Sequence, residues 1–163
     1  KRNGNDKKEI DFLKNDVKHL AENTMIVDLL RNDLSKIETS SNIKVEKLFE
    51  VETHKTLHQM TSTISAELEN FSFEDIIKNI FPCGSITGAP KISTMEVIDE
   101  VENYKRNIYC GAIGIIKKYE ANFSVPIRIL ERKKEEKTYK FCSGGAIAWW
   151  PRQTPRIFFL SLK

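Results

Sequence analysis

Four stretches of this chain combine residue types and spacings suited to holding an anion or a hard cation. The first is Pro82-Cys83-Gly84-Ser85-Ile86-Thr87-Gly88-Ala89-Pro90-Lys91. Its glycines let backbone approach a ligand closely, and its prolines make it the clearest loop in the chain. Pro90 suits the first turn of a following helix, where a missing N–H costs nothing. The free N–H groups of such a helix start attract carboxylate or phosphate. Ser85 and Thr87 add hydroxyl donors and Lys91 a cation. The GxxxxGK[ST] spacing of a nucleotide-binding loop is absent. An ordinary Gly/Pro turn feeding a helix is the alternative.

The second stretch is AENTMIVDLLRNDL, residues 21–34. At helical spacing Glu22, Met25, Ile26, Leu29 and Asp33 fall near one face. A carboxylate among apolar neighbours is partly desolvated and requires a cation, a proton or a metal. Hard oxygen ligands suit Mg²⁺. The alternative is that Glu22 and Asp33 are boundary residues in surface ion pairs with Lys18 or Arg31. The third is Arg128 in SVPIRIL. Strand alternation puts Pro126, Arg128 and Leu130 on one face and Val125, Ile127 and Ile129 on the other. A guanidinium so flanked meets a buried acid or an anionic ligand. The fourth is Ser143-Gly144-Gly145-Ala146, whose glycines mark a bulge or a close backbone approach. Tyr109-Cys110-Gly111 has a similar, weaker character. None of His19, His54 and His58 pairs with Cys or Asp at metal spacing, and a lone helical histidine is usually structural. Cys83 has no histidine near it in sequence, so a catalytic thiol there is weakly supported.

These residues need elements to position them. Periodicity predicts one helix over 11–36, with Val17, Leu20, Ala21, Ile26, Leu29, Leu30 and Leu34 on its apolar side. Residues 1–10 read as an exposed arm. Weak alternation over 41–53 suggests one or two strands. Leu57, Met60, Ile64 and Leu68 suggest a helix over 54–70. Ser72 is a good N-cap for a helix over 73–81, with Glu74 and Asp75 in its first turn. A helix follows over 90–102, then strands over 108–118, 122–131 and 138–148 joined by charged turns as antiparallel hairpins. There is no internal repeat. The expected fold class is α+β, antiparallel sheets with flanking helices.

Composition narrows the function classes. The chain has 163 residues, 40% hydrophobic and 30% charged, with a net charge of +3. That charge is too small and too evenly mixed to indicate a nucleic-acid partner. No apolar run approaches the roughly 18 residues of a membrane span. Cys83, Cys110 and Cys142 are too few and too scattered for a disulfide scaffold or a zinc site. With no apolar signal segment, the expected location is cytoplasmic. The chain lacks an initiator Met and reads as part of something longer. Its last residues, WWPRQTPRIFFLSLK, form an atypical tail over 149–163.

In order along the chain, AENTMIVDLLRNDL, FPCGSITGAPKISTMEVIDEVE, IYCGAIGI, and VPIRIL followed by CSGGAI resemble the chorismate-utilising enzymes, over roughly residues 16–148. GSITGAPK and MIVDLLRND look more like the branch that makes 4-amino-4-deoxychorismate, the precursor of p-aminobenzoate and folate, than like the anthranilate branch of tryptophan synthesis. The resemblance implies the C-terminal portion of a single chorismate-binding domain over 1–163, with chorismate as substrate and Mg²⁺ as cofactor. It implies ammonia supplied by a glutamine amidotransferase subunit. It carries the Mg²⁺-holding glutamate onto Glu22, an active-site histidine onto His58, and the hydroxyl-bearing loop onto Ser85, Thr87 and Gly88. It carries substrate contacts onto Tyr109, Gly111, Arg128, Gly144 and Gly145. Two departures stand out. The branch's nucleophilic lysine lies in a PIKGT-like motif before the first helix, and no such motif occurs in residues 1–163. The family's second Mg²⁺-binding glutamate falls at or near Arg156, with Trp150 and Pro151 where an Asp-Ser pair is expected. No acidic residue occurs from 137 onward. The expectation is a chain that does not turn over by itself. The alternatives are the anthranilate branch and a non-catalytic remnant.

Overall fold

The computed structural model describes residues 4–145. The start of the expected arm and the 149–163 tail, with Trp150, Pro151 and Arg156, lie outside the described residues. The chain divides into two compact units, Lys1–Ser85 and Ile86–Lys163.

The first unit opens with α1 (Asp6–Asn15) and α2 (Val17–Ser35). Residues 6–10 are thus helical rather than an irregular arm. The single helix expected over 11–36 begins earlier and breaks at Asp16. That residue is extended (φ −73°, ψ 112°) and its carboxylate accepts from the backbone N–H of His19 at 3.0 Å. An N-capping acid inside a charged run restarts the helix in a new direction. The same hydrogen bond holds the Asp16 carboxyl below the usual carboxylate range.

Two long strands follow, β1 (Ser40–Thr53) and β2 (His58–Leu68), paired antiparallel from Ser40↔Leu68 to Thr53↔His58. The helix expected over 54–70 is therefore a strand. The four-residue spacing of Met60, Ile64 and Leu68 satisfies the period of two as well as the period of 3.6. The β-branched Thr61, Thr63 and Ile64 favour the extended form. The even-numbered residues of β2 are half-buried while Gln59, Thr63 and Glu67 are exposed.

α2 lies against this ribbon. Val27 and Ile37 are buried, as is Asp33 at 1% exposure, its carboxylate 3.3 Å from Lys36 Nζ. Asn23 ties the helix to the sheet. Ser62 Oγ donates to Asn23 Oδ1 at 2.6 Å and accepts from the Phe49 N–H at 3.1 Å. α3 (Phe73–Ile80) starts where expected, with Ser72 Oγ accepting from the Asp75 N–H at 3.0 Å.

α4 (Gly84–Thr87) is a single turn at the boundary of the two units. The second unit then holds α5 (Lys91–Val101), β3 (Ile113–Ile116), β4 (Ala121–Ser124), β5 (Ile129–Glu131) and β6 (Lys140–Cys142). β3 pairs with β4 and β5 with β6, both antiparallel. The expected hairpins form with shorter strands. The strand expected over 122–131 is interrupted at Pro126, which is buried and has no N–H for a ladder. Arg128 sits at φ +55°, outside β5. The alternating face expected for Pro126, Arg128 and Leu130 therefore does not exist. Among the described residues, no helix is long and apolar enough to cross a membrane.

Candidate functional site

The second unit gathers the polar groups that converge. Residues 106–111 form tight turns, with the Tyr109 N–H donating to Arg106 O and the Gly111 N–H to Ile108 O, both at 3.0 Å. Cys110 takes a left-handed conformation (φ +62°), and its N–H donates to the buried Pro126 carbonyl at 2.9 Å. That bond fastens the Tyr109 turn to the segment leading into β5. Ile129↔Cys142 is the last pair of the β5–β6 ladder, so Arg128 immediately precedes β5 at the end of the ribbon where Ser143 leaves β6. Tyr109 closes the group: a Cβ built on Gly144 would lie 2.8 Å from its hydroxyl oxygen. Glycine at 144 is what allows the phenol to stand against that backbone. At Gly145 nothing lies within 4 Å of the same position among the described residues. Tyr109, Gly111, Arg128, Gly144 and Gly145 thus share one neighbourhood.

Its electrostatics suit an anion. Tyr109 is 8% exposed, and burial pushes its phenol up to about 12. The hydroxyl is therefore a neutral donor at physiological pH. Among the described residues no carboxylate pairs with the exposed Arg128. An exposed guanidinium with no carboxylate partner among the described residues can receive one from a ligand. The Arg106 guanidinium lies over the Tyr109 ring, 5.8 Å from its centre, and forks onto Glu102. Burial also raises the Cys110 thiol.

The loop residues make local contacts. Gly84 is buried, and a Cβ there would lie 2.3 Å from Leu29 Cδ2. It packs α4 onto α2. Gly88 has φ +124°, which disfavours any side chain, and a Cβ would meet Thr94 at 3.0 Å. Ser85 Oγ lies 3.0 Å from Cys83 Sγ. Thr94 Oγ1 donates to the Pro90 carbonyl at 2.8 Å, securing the first turn of α5. The Thr87 side chain is half-buried beside Gly88 in sequence.

In the first unit, Glu22 is 40% exposed and 3.8 Å from Lys18 Nζ. Met25 is also exposed, so the expected face of Glu22, Met25, Ile26, Leu29 and Asp33 is split. Ile26, Leu29 and Asp33 of that face are at least half-buried, together with Asn23, Val27 and Leu30. Among the described residues, no group of three His, Cys, Asp or Glu side chains could hold a metal. Glu22 is a single carboxylate at its position, and the described residues do not build a complete Mg²⁺ site around it. His58 is inside the fold at 4% side-chain exposure. Its Nδ1 is 3.0 Å from Thr53 Oγ1 and its Nε2 is 3.4 Å from Asp6 Oδ1.

A family model described as chorismate binding enzyme matches residues 1–150. The chain belongs to the chorismate-binding enzyme family. Aminodeoxychorismate synthase component 1 of Escherichia coli (strain K12) is 43% identical over 143 residues, covering 86% of this chain and 31% of that protein. Anthranilate synthase component 1 of Aquifex aeolicus (strain VF5) is 35% identical over 125 residues, covering 76% of this chain and 25% of that protein. Among solved structures, anthranilate synthase component I from Streptococcus pneumoniae TIGR4 matches with a TM-score of 0.69 at 37% identity, covering 77% of this chain and 29% of that one. This member of the chorismate-binding family spans about a third of the length of the curated relatives it matches. The α+β expectation agrees with that structural neighbour.

Within the family member's second unit, the glycine pair and the Tyr109 motif were legible because glycine marks close approach. Arg106 and Glu102 were not singled out. Their i,i+4 spacing is the usual mark of a solvated helix pair, and only burial distinguishes them.

Proposed function

We propose that this chain is a chorismate-holding portion of an aminodeoxychorismate synthase component I. In that reading the complete protein converts chorismate and ammonia to 4-amino-4-deoxychorismate and water, the amine replacing the ring hydroxyl. A glutamine amidotransferase subunit delivers the ammonia. The observation that carries the reading is the Tyr109 hydroxyl set against the Gly144 backbone, which follows β6, with Arg128 just before its partner strand β5 and paired with no carboxylate among the described residues. Arg128 would pair with a substrate carboxylate, the 144–145 backbone would approach it, and Tyr109 would donate to it. Gly111 and Gly88 would set their loops, and Ser85 and Thr87 would offer hydroxyls. Within the first unit, buried His58 is the histidine this reading assigns to the active site, and Glu22 is the carboxylate it would give to Mg²⁺, a hard cation suited to oxygen ligands. A cytoplasmic setting belongs to the same proposal, supported by the sparse, scattered cysteines of the sequence.

The test is calorimetric titration of chorismate into the full chain, with and without Mg²⁺. Saturable binding that Arg128→Ala weakens at least tenfold is expected from loss of a charge-assisted contact of about 1.5–3 kcal/mol. Absence of binding, or an Arg128→Ala chain that binds as well, overturns it. The anthranilate branch is the second reading, favoured by the solved neighbour's name. Pyruvate release by the complete protein would decide for it.

A further inference from the structure

We propose that the Glu102–Arg106 pair is a positioning device that holds the Tyr109 hydroxyl against the Gly144 backbone. The proposal rests on the reading that this end of the ribbon receives a substrate carboxylate. Glu102 is the C-cap of α5, its N–H donating to Ile98 O at 2.9 Å, so the end of the helix sets its location. Arg106 Nε donates to Glu102 Oε2 at 2.7 Å and its terminal nitrogen to Oε1 at 2.5 Å. Both side chains are largely covered, at 24% and 23% exposure. Two parallel bonds fix the plane of a guanidinium as well as its distance. That plane sits over the Tyr109 ring, and the Tyr109 N–H donates to the Arg106 carbonyl. The ring is thereby set from its face and from its own backbone. Its hydroxyl end then meets the one glycine of the 144–145 pair that has no room for a side chain. A lysine at 106 would keep the charge and lose the fork.

The distinction from a merely structural pair is that Tyr109 geometry, and not only stability, must depend on the fork. The experiment uses the full chain labelled at tyrosine and glycine. It follows the nuclear Overhauser contact between the Tyr109 ring and Gly144 Hα, and the chorismate dissociation constant. Arg106→Lys and Glu102→Gln are each expected to lose more than half of that contact and to raise the dissociation constant roughly tenfold. The double variant should be no worse than either single one, because the two residues act as a unit. Tyr109→Phe should weaken binding to the same degree. Unchanged Tyr109–Gly144 contact in both single variants overturns the proposal, as do additive losses in the double variant or full affinity in Tyr109→Phe. A parent chain that fails to bind chorismate defeats the functional reading alone. The ring contact then still decides this one: its loss on Arg106→Lys supports the device, and its retention refutes it.

Discussion

Two adjacent glycines offer a sharp contrast. Alanine at 144 would place its methyl carbon 2.8 Å from the Tyr109 hydroxyl oxygen. Carbon and oxygen approach comfortably to roughly 3.3–3.6 Å, so the overlap is about half an ångström or more. Tyr109 has little freedom to yield, because it is buried and its ring is covered by Arg106. Overpacking of this kind costs about 1–3 kcal/mol. At about 1.4 kcal/mol per factor of ten, that is a roughly 5- to 150-fold loss in any equilibrium that requires the phenol in place. Alanine at 145 meets nothing within 4 Å, and that glycine is not in the left-handed region. There the change restricts only the unfolded chain and stabilises by about 0.4–1 kcal/mol. Urea denaturation of both variants, with chorismate titration alongside, measures the two signs directly. Gly144→Ala is expected to lower the midpoint and Gly145→Ala to raise it slightly. Equal destabilisation by both substitutions, or a neutral Gly144→Ala, would refute the placement of Tyr109 against the ribbon.

Gly84→Ala should cost about 1–3 kcal/mol because Leu29 must leave its position, and a Leu29→Ala background should remove most of that penalty in a double-mutant cycle. Ser72→Ala should destabilise by about 1 kcal/mol through loss of the α3 cap, read as a lower denaturation midpoint, while Ser72→Asp should retain most of the stability. Tyr109 makes stability fall at high pH. Its folded phenol titrates near 12 against an ordinary 10, so its contribution is complete below pH 10 and declines from there to pH 12 as the unfolded phenol ionises first. That decline is about 3 kcal/mol at most. Tyr109→Phe should flatten this part of a stability-against-pH profile, and an unchanged slope would contradict the burial of the hydroxyl.

How much of this was legible beforehand depended on whether local chemistry had one solution or two. α3 and α5 were readable because Ser72 and Pro90 admit few backbone roles. The break at Asp16 was hidden because a capping acid looks like any other acid in a charged helix. β2 was misread because Met60, Ile64 and Leu68 obey both periods, and only pairing with β1 selects one. Arg128 stands out in the sequence as a charge among apolar residues. Its conformation depends on Pro126 being drawn to Cys110, a contact far apart in sequence. Gly144 was visible as a glycine, but its tenant, the Tyr109 hydroxyl, was not. Met25 faces solvent where the sequence suggests an inward face, while the Asn23–Ser62–Phe49 hydrogen bonds fasten α2 to the ribbon through a polar residue that periodicity does not mark.

β1 carries a consequence for how such sequences change over time. Its pairing with β2 shifts between Ser41 and Lys44, between Val45 and Lys47, and between Lys47 and Glu50. Asn42 and Phe49 take left-handed backbone at two of these places. Each extra residue resets which side of the ribbon the following side chains occupy. The shielded positions accordingly change parity, from Ser40 to Ile43, Phe49 and Val51. A single-residue insertion or deletion, ruinous in a regular strand, can here be absorbed by gaining or losing an irregularity nearby. Length variation among natural sequences should therefore be found inside this strand, at 42–49, as well as in the turns where gaps ordinarily collect.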